Sequence, residues 1–218
     1  MGEQAERPSV DAQVSRLTWD SMPSAPAEEG DLAPASPRSL TLRQLLSRGL
    51  TVFEKPVQLA SGAWSREFID VKAALARGSD LAVACRAVLE LFPEVEFDVV
   101  GGLTMGADQF AHGIAILADA SWFVVRKEPK SRGTNRLTEG ATLGPSTRVL
   151  LVDDVITSGG SILKAFAALE RLGAPVVAAS TIVDRGDSAR AFFASHSVPY
   201  RPLFTYADLG IPPVEKAG

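Results

Sequence analysis

Apolar and polar residues divide this chain into two stretches of different character. Residues 1–38 show no apolar period, whereas from Ser39 onward apolar blocks alternate with polar or glycine-bearing turns. The spacing of Leu40, Leu42, Leu45, Leu46 and Leu50 predicts a short amphipathic helix ending near Gly49. Residues 68–71 read as a strand, and residues 79–92 as a helix stopped by Pro93. There follow a strand at 97–100, a helix over 106–119 and a strand at 122–125. Residues 127–147 have no clear period. The run 148–152 reads as a buried strand, and 161–172 as a helix capped by Gly173 with Pro175 just beyond. A strand at 176–183, a helix over 188–195 and a strand at 201–204 complete the pattern. Continuous Val/Leu runs, rather than strict alternation, are what a parallel sheet covered on both faces requires. Alternating β and α then predicts a doubly wound α/β fold with a mostly parallel sheet.

Composition sharpens this picture. A length of 218 residues with 46% hydrophobic positions suits one α/β domain plus appendages. Residues 1–38, rich in Ala, Pro, Ser and Glu, bury too little to offset the entropy of ordering, and are expected to be a disordered extension before a domain at 39–218. They also hold seven acids against Arg7, Arg16 and Arg38, which accounts for the whole net charge of −4. The neutral remainder argues against a nucleic-acid partner, which needs a positive field. The single cysteine, Cys85, lies in an apolar run and reads as a buried structural thiol in a reducing compartment. The polar N-terminus lacks an apolar signal segment, and Asp119 and Arg126 bound the best apolar run below the ~18 residues of a membrane span. A cytoplasmic protein without a membrane partner is expected. His112 and His196, without a cysteine beside them, make a poor zinc site.

The most specific segment runs from Val149 through Ser161. An apolar strand delivers Asp153 and Asp154 to the sheet edge where α/β proteins bind ligands. After Val155 and Ile156, the small residues Thr157, Ser158, Gly159, Gly160 and Ser161 lead straight into a helix. The glycines let successive N–H groups converge, the helix N-terminus adds partial positive charge, and the hydroxyls add donors. This is a phosphate cradle beside two carboxylates, suited to a ligand carrying hydroxyls or a metal as well as phosphate. A ribose 5-phosphate meets that description. The alternative, an ordinary βα turn with an acid and a helix cap, explains the acids alone but not the full ordered series.

Strand, paired acids and Thr-containing glycine-rich loop together resemble the signature of the phosphoribosyltransferases. A basic cluster of Arg126, Lys127, Lys130, Arg132 and Arg136 then opens the aperiodic segment, as a functional lid would. The series Arg126-Lys127-Glu128-Pro129-Lys130-Ser131-Arg132-Gly133 resembles the mobile loop of the orotate phosphoribosyltransferases, normally Arg-Lys-Glu-x-Lys-x-His-Gly. The glycine-rich run 101–108, Arg136-Leu137 with Glu139-Gly140, and Val183-Asp184-Arg185 are similar to further segments of that family, as are Ser61-Gly62 and 68–70. Four positions depart from its pattern. Arg132 takes the place of the lid histidine, Ala63 of Arg or Lys, Glu67 of an aromatic residue, and Met105 of a lysine found in many relatives.

The resemblance covers about residues 40–210 and implies a type I phosphoribosyltransferase fold with a small N-terminal base-binding segment. It further implies transfer of ribose 5-phosphate from phosphoribosyl pyrophosphate to orotate, with Mg²⁺, in a homodimer whose lid lysine reaches the neighbouring site. By the same resemblance Asp153 and Asp154 contact the ribose hydroxyls and Mg²⁺, and residues 157–161 hold the 5-phosphate. Arg126, Lys127, Lys130 and Arg132 meet the pyrophosphate, and Val155 and Ile156 also line the substrate. Lys130, Asp153 and Asp154 are catalytic, and Arg185 holds the orotate carboxylate. Two other readings stay open: a non-catalytic sensor of phosphoribosyl pyrophosphate, and a transferase for another base.

Overall fold

A computed structural model describes residues 35–59, 61–128 and 137–214. The predicted lid residues Lys130, Arg132 and Arg136 lie outside them, as does almost all of the extension. The first helix, α1 (Pro37–Gln44), starts two residues before the expected boundary at Ser39. Ser36 accepts from the Ser39 N–H, and Pro37 at the first helical position gives up no needed donor. Arg38 also reaches Asp208 at 2.7 Å, tying this start to the far end of the chain. A π-helical turn (Leu45–Gly49) carries the helix to its end at the expected glycine.

A two-stranded antiparallel hairpin follows, β1 (Leu50–Gln58) with β2 (Trp64–Ile69). β1 is not foreshadowed by the hydrophobic pattern. Most of its residues are exposed, so pairing with β2 rather than burial stabilises it, and no alternation marks it. β2 does alternate: Ser65 and Ile69 are buried, Glu67 is half-buried, and Trp64, Arg66 and Phe68 are exposed. Val71, expected in this strand, instead opens the one-turn helix α2 (Val71–Ala74), because Asp70 caps the Ala73 N–H.

After α3 (Gly78–Leu89) come β3 (Val99–Leu103), α4 (Asp108–Ala118), β4 (Ser121–Val125) and the short β5 (Thr138–Gly140). β6 (Val149–Ile156), α5 (Gly160–Leu172), β7 (Val176–Asp184), α6 (Ser188–Ser195) and β8 (Phe204–Thr205) complete the order. β5 falls within the segment read as aperiodic; three residues are too few to show a period. β6 is longer than expected, so Asp153 and Asp154 belong to the strand itself.

The sheet order is β5-β4-β3-β6-β7-β8, parallel throughout except for β5 against β4. Successive strand residues enter opposite cores. Val100, Leu150 and Val152 pack with α3 and α4 residues such as Val88 and Ile114, while Val99 and Leu151 pack with α5 and α6 residues such as Leu169 and Phe193. Apolar side chains on both faces explain the continuous Val/Leu runs. From β3 the chain winds outward to β4, then returns to lay β6 on β3's other side. The switch point therefore lies at the C-terminal ends of β3 and β6, where doubly wound sheets bind ligands. Among the described residues, no helix is long and apolar enough to cross a membrane.

Candidate active site

Three segments meet at that switch point: the loop after β3, the end of β6 with its following loop, and the N-terminal hairpin with α2. They enclose a cleft of about 370 Å³ lined by Lys72, Gly106, Lys127, Asp153, Asp154 and Arg185, among others. A second hollow of about 220 Å³ adjoins it, formed by Ser61, residues 155–161 and Lys164. Ser61, Asp153, Val155, Thr157 and Ser161 border both spaces, so they form one elongated site.

The smaller hollow is the predicted cradle. Gly159 adopts φ +84°, a left-handed conformation that a side chain would strain, and it turns the chain into α5. No side chain caps α5, and its first turn carries no acid. The leading N–H groups are thus left for a ligand, and an anion suits them best.

Above the cradle, β6 presents its carboxylates to different surroundings. Asp153 is 2% exposed. Its Oδ1 accepts from the Asp154 N–H at 3.0 Å, while its Oδ2 is buried without a hydrogen-bond partner among the described residues. Burial first, and then the neighbouring Asp154 charge, push its carboxyl up to about 8. Asp154 accepts from the Val155 N–H at 2.8 Å and from Lys72 Nζ at 2.6 Å. Partial burial works against the lysine's charge. The bond to Asp154 and the attraction of Asp154, Asp70 and Asp153 outweigh it, so the ammonium is held above its usual range.

The loop after β3 closes over the acids. A Cβ on Gly106 would lie 2.6 Å from Asp153 Oδ1 and 2.7 Å from Asp154 Oδ1, so any side chain there would force the loop or the carboxylates to shift. The Thr104–Met105 peptide is cis. Thr104 Oγ1 donates to Asp108 Oδ2 at 2.8 Å, anchoring the loop to α4.

Arg185, just past β7, is 1% exposed yet borders the cleft. It spans to the hairpin: Nη1 donates to the Glu67 carbonyl at 2.7 Å and Nη2 to Ser65 Oγ at 3.1 Å. Burial lowers its pKa, with Glu67 working in the opposite direction. Its Nε has no partner among the described residues.

Comparison with known proteins agrees with this geometry. Residues 83–191 match the phosphoribosyl transferase domain family. The orotate phosphoribosyltransferase of Aquifex aeolicus is 37% identical over 79% of this chain and 97% of its own. That of Corynebacterium glutamicum is 39% identical over 76% and 91%. The chain belongs to the orotate phosphoribosyltransferase family. The crystal structure of the Mycobacterium tuberculosis orotate phosphoribosyltransferase in complex with phosphoribosyl pyrophosphate superposes with a TM-score of 0.65, at 32% identity, covering 80% of this chain and 99% of that one. The expected type I phosphoribosyltransferase fold is therefore present, with the antiparallel hairpin as its small N-terminal segment.

Within this family fold, the structure brings together Asp153, Asp154, residues 155–161, Lys127 and Arg185. Arg126 is not among the residues that border the cleft. Its guanidinium lies 3.6 Å from Glu139, and its main chain joins β4 to Leu137. Lys130 and Arg132 lie outside the described residues. Sequence reasoning missed Lys72 and the fit of Gly106. Lys72 sits two residues beyond the predicted Phe68-Ile69-Asp70 segment, so position alone was a usable signal. Nothing in the pattern announced the closeness of Gly106 to the acids.

Proposed function

We propose that this protein is an orotate phosphoribosyltransferase acting in the cytoplasm, in pyrimidine nucleotide synthesis. It transfers the ribose 5-phosphate of phosphoribosyl pyrophosphate to orotate, giving orotidine monophosphate and pyrophosphate. The observation that carries the reading is the continuity of one site. The cradle at 157–161 adjoins Asp153 and Asp154, and buried Arg185 borders the same cleft. Phosphate, ribose hydroxyls and an anionic base thus find matching groups around one continuous space. Phosphoribosyl pyrophosphate in the Mycobacterium tuberculosis relative supports the same reading.

In this reading the phosphate occupies the N–H groups and hydroxyls of residues 157–161, and Asp153 and Asp154 orient the ribose. The C1–O bond to pyrophosphate breaks with its electron pair leaving on the pyrophosphate, while positive charge develops on the ribose. The bond from C1 to the ring nitrogen of orotate forms in its place, and that nitrogen's proton passes to the departing pyrophosphate or to water. Lys127 and Lys72 border the space where negative charge accumulates, and Lys130, with Arg126 and Arg132, supplies further cations from the lid. Arg126 would have to leave Glu139 to take part. The lid also keeps water from the activated ribose. Arg185 receives the orotate carboxylate.

Mg²⁺ fits the acid pair. Asp153 holds a buried Oδ2 with no hydrogen-bond partner among the described residues, and Mg²⁺ characteristically takes one or two carboxylates and completes its shell with substrate phosphates and water. Asp153 and Asp154 would hold it, and when bound it would neutralise charge on the leaving pyrophosphate. A homodimer, in which one subunit's lid serves its neighbour, completes the proposal.

The test is to offer the purified protein phosphoribosyl pyrophosphate and Mg²⁺ with orotate, uracil, adenine or hypoxanthine separately. Pyrophosphate release with orotate alone is expected. Release with a different base, or with none, overturns the assignment.

A further inference from the structure

Behind Arg185, outside the residues that border the cleft, stands a carboxylate that the transfer reaction does not require. Glu67 stands on the inner face of β2, behind Arg185, with its side chain 16% exposed. The two are linked through Ser65. Arg185 Nη2 donates to Ser65 Oγ at 3.1 Å, and the Ser65 hydroxyl donates to Glu67 Oε2 at 2.9 Å. The Glu67 N–H donates to the same Ser65 Oγ at 3.1 Å, so the β2 backbone holds the hydroxyl in place. The direct separation of Arg185 Nη2 from Glu67 Oε2 is 4.0 Å. A guanidinium, a hydroxyl and a carboxylate therefore form a short relay in a wall where Ser65 and Arg185 are both buried.

This arrangement divides the donors of Arg185. Nη1 and Nη2 each donate to the hairpin, while Nε is buried with no partner among the described residues. The charge is divided as well, since Glu67 offsets part of it before any ligand arrives. A carboxylate entering from the cleft side meets the attraction of Arg185 together with the repulsion of Glu67, in a wall that screens poorly. A base without a carboxylate meets neither.

We propose that Glu67, acting through Ser65, is a positioning residue that sets the strength of selection for a carboxylated base at Arg185, weakening it relative to an arginine without a counter-ion. The proposal rests on the reading above, in which Arg185 faces the carboxylate of orotate.

Glu67→Gln keeps the side-chain size and an oxygen for the Ser65 hydroxyl, but removes the charge. Orotidine monophosphate and uridine monophosphate differ by that carboxylate alone, and without pyrophosphate neither turns over. Calorimetric titration of both into wild type and Glu67→Gln should show orotidine monophosphate bound about ten-fold tighter by the variant, with uridine monophosphate unchanged. The orotate KM should fall by a similar factor, while kcat and the KM for phosphoribosyl pyrophosphate stay within two-fold. Glu67→Asp, which retains the charge, should restore wild-type discrimination. Equal tightening of both nucleotides, no tightening, or the same gain in Glu67→Asp overturns the proposal. If wild type and Glu67→Gln use orotate with one KM, this inference fails and the transferase assignment stands. If neither uses orotate and neither distinguishes the two nucleotides, both fail.

Discussion

Lys72 Nζ lies 2.6 Å from Asp154 Oδ2, across 82 residues of sequence. This contact joins α2, at the foot of the N-terminal hairpin, to the acid pair on β6. It places a cation beside two carboxylates, one of which is buried. The ammonium is half exposed, so the pair adds little to stability and its consequence lies in the chemistry.

Lys72→Met should accordingly fold normally and lose turnover. Removing one preorganised cation from beside the reacting centre should lower kcat by about 10²-fold. Steady-state rates with orotate, read alongside thermal melting, check this. An unchanged kcat would confine Lys72 to a surface ion pair.

Gly106→Ala tests the closeness of the β3 loop to the acids. The added methyl would fall 2.6 Å from Asp153 Oδ1, so either the loop or the carboxylates must shift. A displacement of this size should cost about 10²-fold in kcat/KM. Gly78→Ala is the control, because its Cβ would meet nothing within 4 Å and its activity should match wild type.

Arg185→Ala should affect the two ligands unequally. Orotate binding should weaken far more than phosphoribosyl pyrophosphate binding, which calorimetric titration of each measures. Stability should also fall, by about 3 kcal/mol, because the Glu67 carbonyl and Ser65 hydroxyl lose a buried cationic donor. Arg185→Lys should not restore orotate affinity, since a point charge cannot reproduce the fork that serves hairpin and ligand together. Equal loss for both ligands would remove Arg185 from the base subsite.

Cys85 is fully buried, and burial pushes its thiol up to about 12 from 9.0. A thiol reagent at pH 8 should therefore label the native protein very slowly and the urea-unfolded protein rapidly. With the folded value above the unfolded one, the thiol's contribution to stability is fully present below about 9 and is lost as pH rises towards about 12. Urea unfolding at pH 8 to 11 should show a steeper alkaline decline in wild type than in Cys85→Ala. Parallel declines would contradict the shift.

The elements legible from sequence were those whose neighbours leave a mark on their own residues. β6 declared itself through Val149 to Val152 because both its faces are covered, and α5 through Gly173, whose left-handed conformation ends the helix. The cradle was legible for a related reason. Its residues are contiguous, and the backbone conformation they need restricts which residue types can occupy them. β1 left no mark because its stability comes from β2. Arg126 was legible as a charge, but its 3.6 Å pairing with Glu139 on the neighbouring short strand was not, because it depends on β5 pairing with β4.

By itself, the sequence determined the alternation that makes a doubly wound sheet, and the contiguous strand, acids and glycine loop at its switch point. Local propensity, periodicity and short-range backbone demands act within a few residues of one another, so they are written in consecutive letters. Tertiary structure alone decided which residues complete the site. The sheet order set β3 beside β6 and so brought Gly106 against Asp153. The hairpin's return to the sheet edge set Lys72 on Asp154 and Ser65 and Glu67 on Arg185. These contacts join positions 47 to 120 residues apart. Distances of that kind depend on how whole layers pack, and packing is settled by the sum of many buried contacts rather than by any stretch of chain that could announce it.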